Sequence, residues 1–257
     1  LDAASTDLRM VSIGKSAEGR DIWMVIASRE RAFTPEAVRR SRRPLVLAQG
    51  GIHSGEIDGK DAGMMLLRDM TVRSRRRDLL DRVNLLFIPI LNVDGHERAS
   101  IHARINQRGP EIMGWRTNAR NLNLNRDYTK LETAAIRSVV ATIDRWDPDL
   151  YVDLHVTDGA DYQYDITFGW NTTTGWSPSI ARWLSGTLEP ALTRDLRAAG
   201  NIPGPLVFPI FYADDPAVGL DFGNSDPRLS NGYGDARHTP TMLVENHSLK
   251  PYDQRVL

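Results

Sequence analysis

Residues 45–56 read LVLAQGGIHSGE, an apolar run that stops at two glycines and continues into a short polar segment. The apolar run is typical of a buried strand, and the glycines predict that this strand ends in a loop. Apolar side chains recur at helical spacing from about Glu56 to Thr71, which predicts a helix directly after the loop. His53 and Glu56 therefore belong to a strand-to-helix loop, where both side chains can point to one spot.

Strands and helices alternate on both sides of this run. Such alternation predicts an α/β fold, with a sheet covered by helices on both faces. In these sheets, functional residues gather at the loops beyond the strand ends. The predicted strands are Leu8–Gly14, Asp21–Ala27, Leu45–Ala48, Val83–Leu91, Leu150–Val156 and Thr241–Glu245, and the predicted helices are Glu56–Thr71, Leu131–Trp146 and Pro178–Ala199.

Composition narrows the class of function. The 257 residues carry a formal charge of -1, so no overall field favours nucleic acid or an anionic membrane, and a peptide or small molecule is the expected partner. The chain has no cysteine, which excludes thiolate metal sites and leaves His, Asp and Glu as the strong ligands. No apolar run has the length of a membrane span. We expect one domain over residues 1–257; its oligomeric state is not indicated.

His53 and Glu56, three residues apart, are candidate metal ligands. Zinc accepts imidazole nitrogen and carboxylate oxygen, and a catalytic site uses three protein ligands. Taken alone, the pair also fits a strand-end histidine and a helix-start glutamate that the helix dipole favours. A third ligand is needed to separate these interpretations.

His155 and Glu245 each close an apolar strand. His155 is the candidate third ligand, and the alternative is a hydrogen-bonded core histidine. Asp153, two residues earlier on the same face, is either the hydrogen-bond partner of a ligand or an ordinary strand-end carboxylate. Burying the charge of a glutamate is unfavourable unless the carboxylate is paired or has a functional role. Beside a metal, Glu245 can serve as a general base.

The ordered motifs resemble the zinc carboxypeptidase family, of which pancreatic carboxypeptidase A is the best known. The order is what makes the resemblance specific, since each motif alone is common. The motifs extend from about Gly50 to Glu245. They are His53-Ser54-Gly55-Glu56, Asn92-Val93-Asp94-Gly95, Trp115-Arg116, Asn125-Arg126, His155 and Glu245.

The resemblance implies a mixed central β-sheet flanked by helices on both faces and one zinc ion per chain, bound by His53, Glu56 and His155. It implies that Glu245 is the general base and that Arg116 polarises the scissile carbonyl. Asn125 and Arg126 would bind the free carboxylate of a peptide, consistent with the fork geometry of guanidinium. The resemblance also implies a secreted or periplasmic location.

The sequence departs from the family pattern in three places. Asn123 stands where the family usually has an aspartate that orients a histidine ligand. For the substrate-capping tyrosine of a mobile loop, the candidates are Tyr233, which we favour because glycines flank it, and Tyr212. The chain ends twelve residues after Glu245, sooner than this fold leads us to expect, and is compatible with truncation at both ends.

Three functions are open at this level. The leading hypothesis is a metallocarboxypeptidase that removes a C-terminal residue. A second is a zinc amidohydrolase of the same fold that deacylates N-acyl amino acids or trims cell-wall peptides. A third is a binding module without catalysis, which the presence of all four central residues disfavours.

Overall fold

The computed structural model describes residues 1–73, 75–170, 177–210, 216–222 and 226–257. The strands are β1 Leu8–Lys15, β2 Asp21–Ala27, β3 Leu45–Gly50, β4 Asn84–Ile88, β5 Leu150–Val156, β6 Ile166–Gly169, β7 Pro203–Pro205, β8 Phe208–Pro209, β9 Leu220–Asp221 and β10 Thr241–Asn246. The α-helices are α1 Pro35–Ser41, α2 Asp58–Thr71, α3 Val93–Glu97, α4 Ala134–Trp146, α5 Pro178–Trp183, α6 Glu189–Ala198, α7 Ser230–Ala236 and α8 Tyr252–Val256. A π-helical segment, Leu184–Leu188, joins α5 to α6.

Eight strands form one mixed sheet in the order β1-β2-β4-β3-β5-β10-β6-β7. β4, β3, β5 and β10 run parallel, while β1, β2 and β6 are antiparallel to their neighbours toward the centre. The carboxyl ends of β3, β5 and β10 therefore meet at one edge of the sheet. This is the edge at which α/β proteins gather their functional side chains.

Helices pack on both faces of the sheet, which confirms the predicted fold class. On one face, α1 and α4 cover alternate strand residues such as Leu47 and Tyr151. On the other, α2 packs against Phe87, and α6 packs against a cluster around Val152. The alternation between the faces follows the two-residue period of a strand.

The six predicted strands are present, β2 and β5 with the predicted ends and the others with shifted ends. The three predicted helices are also present with shifted ends, and the one predicted over Pro178–Ala199 is divided by the π-helical segment. Helix α1 was not predicted; its last turn holds Arg39 and Arg40, and its first turn is capped by the Thr34 side chain, which accepts from the amide of Ala37. β6 and α7 were not predicted, because each is short and carries no clear apolar period. Within the described residues, no helix is long and apolar enough to cross a membrane.

Candidate metal centre

His53, Glu56 and His155 come together at the carboxyl edge of the sheet. Each offers one ligand atom, and the three atoms lie within 4.8 Å of one another. All three residues are at most 4% exposed. The loop after β3 supplies the first two and β5 supplies the third. The turn out of β3 uses Gly51 at φ +62°, a conformation that suits glycine.

The ring of His53 is oriented by Asn123. Its Nε2 lies 3.1 Å from Oδ1 of Asn123, and that same oxygen accepts from the amide of Asn125 at 3.0 Å. Because a carbonyl oxygen only accepts, Nε2 carries the hydrogen and Nδ1 presents its lone pair. Nδ1 is buried 3.0 Å from Oε1 of Glu56 and makes no hydrogen bond of acceptable geometry. A buried nitrogen without a hydrogen bond, facing a carboxylate, suits a metal ligand.

His155 is held in the same way by Asp153. Nε2 of His155 lies 2.8 Å from Oδ2 of Asp153, and Nδ1 lies 2.8 Å from Oε2 of Glu56. Burial lowers the pKa of His155. The Asp153 and Glu56 carboxylates raise it by more than burial lowers it, so that the pKa is well above its ordinary value. A metal ion would compete with a proton for Nδ1. Two imidazole nitrogens and one carboxylate oxygen are a donor set that fits zinc.

Two arginines donate to the same oxygen of Glu56. Nη1 of Arg104 lies 2.9 Å from Oε1 and Nη1 of Arg116 lies 3.1 Å from it. The Arg104 side chain is 4% exposed, whereas that of Arg116 is 35% exposed. Arg116 was singled out in the sequence. Arg104 was missed, since it lies in an arginine-rich stretch where no spacing distinguishes it.

Glu245 stands beside His155. The two are Cα partners in the parallel pairing of β10 with β5, so their side chains lie on one face of the sheet. Glu245 is 8% exposed, and its Oε2 is buried without a hydrogen-bond partner. Burial raises the pKa of Glu245 to about 8, and the charges of Glu56 and Asp158 add to this effect while His155 opposes it.

The metal-free protein should lose stability as pH rises from 4.5 to about 8. The unfolded chain releases the Glu245 proton near 4.5, whereas the folded chain holds it until about 8. The unfolded state thus binds fewer protons in this window, and the Glu245 contribution falls by about 1.4 kcal/mol per pH unit. Denaturant unfolding with a chelator present, at a series of pH values, measures how the free energy of unfolding changes with pH. The Glu245→Gln protein is the reference, and equal pH slopes for the two proteins would contradict the prediction.

Asn125 and Arg126 lie next to the orienting residue Asn123. Asn125 is buried, and its Oδ1 accepts from the amide of Ser230 at 2.8 Å. Burial lowers the pKa of Arg126, and the positive charges of Arg116 and Arg228 lower the pKa further. The carboxylates of Asp158 and Asp226 act in the opposite direction.

The predicted loop position of Tyr233 is wrong. Tyr233 lies in α7, where its ring packs 5.4 Å from that of Tyr128, and its hydroxyl accepts from Arg237 at 3.2 Å. Gly-rich sequence suggested a turn, but a helix forms here because Tyr233 is packed against the core. The substrate-capping role of Tyr233 stays a prediction. The other candidate, Tyr212, is outside the described residues.

The remaining histidines of the described chain do not join the cluster. Nε2 of His247 lies 2.9 Å from the carbonyl oxygen of Tyr162, and its Nδ1 accepts from the amide of Leu249. Nδ1 of His96 lies 3.7 Å from Oε1 of Glu97. His247 therefore ties two loops together, and the described residues contain one three-ligand group.

The sheet and the buried cluster at its edge define an α/β protein with a candidate mononuclear metal centre. The sequence model of the family Peptidase_M14, zinc carboxypeptidase, matches residues 2–178. The chain therefore belongs to the zinc carboxypeptidase family, whose hydrolase fold it has. The match includes the three candidate ligands and ends before Glu245.

Similar proteins agree with this assignment. Carboxypeptidase Z of Gallus gallus is 30% identical over 135 residues, which are 49% of this chain and 19% of that protein. Inactive metallocarboxypeptidase ecm14 of Schizosaccharomyces pombe is 34% identical over 93 residues, 34% of this chain and 18% of that protein. The chain thus spans about a fifth of the length of these relatives. A metallo-carboxypeptidase structure from Burkholderia cenocepacia has the same fold, with a TM-score of 0.67 at 18% identity, over 97% of this chain and 61% of that one.

Proposed function

We propose that this chain is a zinc-dependent metallocarboxypeptidase that hydrolyses the C-terminal peptide bond of a substrate with a free carboxylate. The observation that carries the proposal is the position of Glu245. Its buried carboxylate, with one oxygen unpartnered, stands in register with His155 of the ligand cluster. A carboxylate whose pKa is raised toward neutrality is suited to accept and return a proton.

One zinc ion per chain would be held by His53, Glu56 and His155. The presentation of Nδ1 by both histidines, fixed by Asn123 and Asp153, supports this ligand set. When bound, zinc polarises a water molecule and a carbonyl group as a Lewis acid.

Glu245 would act first as base and then as acid. Its carboxylate takes a proton from the attacking water and later delivers a proton to the nitrogen of the leaving amine. Arg116 would polarise the scissile carbonyl. Its partly exposed guanidinium can turn to a substrate oxygen, where a donor to developing charge typically contributes about 3 kcal/mol to lowering the barrier.

Asn125 and Arg126 would bind the substrate carboxylate. The positive charges of Arg116 and Arg228 near Arg126 support an anionic group at this position. A guanidinium can hold a carboxylate through two parallel hydrogen bonds, which fixes its orientation. This arrangement supports a peptide or small amide that ends in a free carboxylate.

Two other functions are kept as alternatives. A deacylase of N-acyl amino acids or cell-wall peptides would use the same residues, since its product or substrate also carries a carboxylate. A binding module without catalysis is the second, and one relative is named inactive. The presence of Glu245 beside the three candidate ligands favours an enzyme. A single catalytic domain and a secreted or periplasmic location also remain proposals.

Mass spectrometry of the zinc-loaded protein, incubated with a mixed substrate pool, tests the proposal. The pool contains peptides with free C-termini, the same peptides with amidated C-termini, and several N-acyl amino acids. We expect single residues to be lost from free C-termini only, because Asn125 and Arg126 need a carboxylate to bind. Release of acyl groups instead would favour the deacylase, and zinc binding without any cleavage would favour the binding module.

A further inference from the structure

Arg104 joins the two segments that carry the candidate metal ligands. Its Nη1 donates to Oε1 of Glu56 at 2.9 Å. Its Nη2 donates to the carbonyl oxygens of Val156 at 3.4 Å and Thr157 at 3.2 Å, and these two residues directly follow His155. One buried guanidinium therefore holds the loop of Glu56 against the end of β5.

The stem of Arg104 fills the space above Gly55. A Cβ added at Gly55 would lie 2.3 Å from Cδ of Arg104 and 2.7 Å from the carbonyl oxygen of Gly114. Such approaches are too close for any side chain, so glycine at position 55 allows Arg104 to take its path. The glycine of the His53–Glu56 motif and Arg104 thus form one packed unit.

Arg116 donates to the same oxygen of Glu56 but is held differently. Its side chain is 35% exposed, and its other described ion pair, with Asp158, is 3.6 Å long. The Arg104 side chain is 4% exposed and is also fixed by two backbone carbonyls. Arg116 is thus free to turn to a substrate, whereas Arg104 is committed to the protein.

We propose that Arg104 is a positioning residue that fixes the Glu56 carboxylate and the spacing between Glu56 and His155, so that the ligand atoms lie ready for the metal. The inference rests on the proposed function for the identity of the ion, zinc. Hydrogen-bond partners behind a metal ligand typically contribute 10–100-fold to metal affinity. Arg104 serves one ligand directly and positions the segment after another.

Zinc affinity of the Arg104→Lys protein tests this role. Lysine keeps the charge and most of the stem, but its compact ammonium cannot reproduce the planar fork toward Glu56, Val156 and Thr157. We expect zinc affinity about 10–100-fold weaker, measured by competition with a chromophoric chelator. The visible absorption of the cobalt-loaded protein should also change, because it reports ligand geometry.

Arg116→Lys is the matched control. It alters a donor to the same oxygen of Glu56, yet zinc affinity and the cobalt spectrum should stay those of the unchanged protein. Gly55→Ala is the second test, because its methyl group displaces the Arg104 stem while the guanidinium is retained. It should reproduce the loss of zinc affinity, and it decides the question if Arg104→Lys does not fold by circular dichroism.

A folded Arg104→Lys or Gly55→Ala protein with unchanged or tighter zinc binding would overturn the inference. So would an Arg116→Lys protein that loses as much zinc affinity as Arg104→Lys. Failure of the proposed function is distinguishable: the unchanged protein would then bind zinc and cleave no substrate, and the three affinities would still report on Arg104.

Discussion

Replacing Glu245 with glutamine should slow hydrolysis by about 10²–10⁴-fold while zinc stays bound. The amide keeps the size of the side chain but cannot take a proton from water, and general acid–base catalysis contributes about 10²–10⁴-fold to rate. Because Glu245 is not among the three candidate ligands, metal content should be unaffected. Turnover of a C-terminal peptide substrate, together with metal analysis of the same sample, measures both effects.

Glu189→Gln is the control for the loss of one carboxylate. Glu189 is exposed in the first turn of α6 and is not one of the candidate metal ligands. It should leave both turnover and zinc content unchanged. A Glu245→Gln protein that turns over at the unchanged rate would remove Glu245 from the mechanism, and one that loses its zinc would make Glu245 part of the metal site.

Replacing Arg255 with methionine should lower the free energy of unfolding by about 3–5 kcal/mol, because one member of a buried ion pair is removed. Arg255 of α8 lies 3.0 Å from Oδ2 of Asp58, and both side chains are at most 2% exposed. Arg255 also donates to the carbonyl oxygen of Arg108 at 3.0 Å, and its own carbonyl accepts from Asn246 at 2.9 Å. Without Arg255, the Asp58 carboxylate would be buried with its charge uncompensated.

Denaturant unfolding followed by tryptophan fluorescence measures this loss. Burial raises the pKa of Asp58 to about 6, so the measurement belongs well above that pH, where the carboxylate is ionised. Arg194→Met is the control, since Arg194 pairs with Asp195 on the surface and should change stability by less than about 0.5 kcal/mol. Adding Asp58→Asn to Arg255→Met should recover part of the loss. A double variant no more stable than Arg255→Met would contradict the explanation.

The sequence was sufficient for the parts of the site that local order determines. A buried strand that runs into a loop placed His53 and Glu56, and strand ends placed His155 and Glu245, because parallel strands bring their carboxyl ends to one edge. The mixed sheet followed from the family resemblance rather than from periodicity. The loop position predicted for Tyr233 was wrong because the prediction relied on its flanking glycines, whereas packing against Tyr128 accompanies a helix there.

Long-range contacts account for what sequence could not provide. Arg104 lies 48 positions from Glu56 along the chain, and its role depends on a path over Gly55 that no local pattern encodes. Arg255 and Asp58 are also far apart along the chain, although their side chains are in contact. Such contacts depend on the path of the loops in the folded protein, which local sequence patterns do not determine.

Oδ1 of Asn123 is shared between two neighbours, the ring of His53 and the amide of Asn125. A candidate ligand of the metal and a candidate binder of the substrate carboxylate therefore depend on one oxygen atom. If metal binding moves Asn123, the position of Asn125 changes, and if substrate binding moves Asn123, the position of His53 changes. We therefore expect a coupling free energy between binding of the metal and binding of the substrate carboxylate. Thermodynamic linkage makes such coupling reciprocal: the factor by which zinc strengthens binding of a C-terminal carboxylate equals the factor by which that carboxylate strengthens binding of zinc.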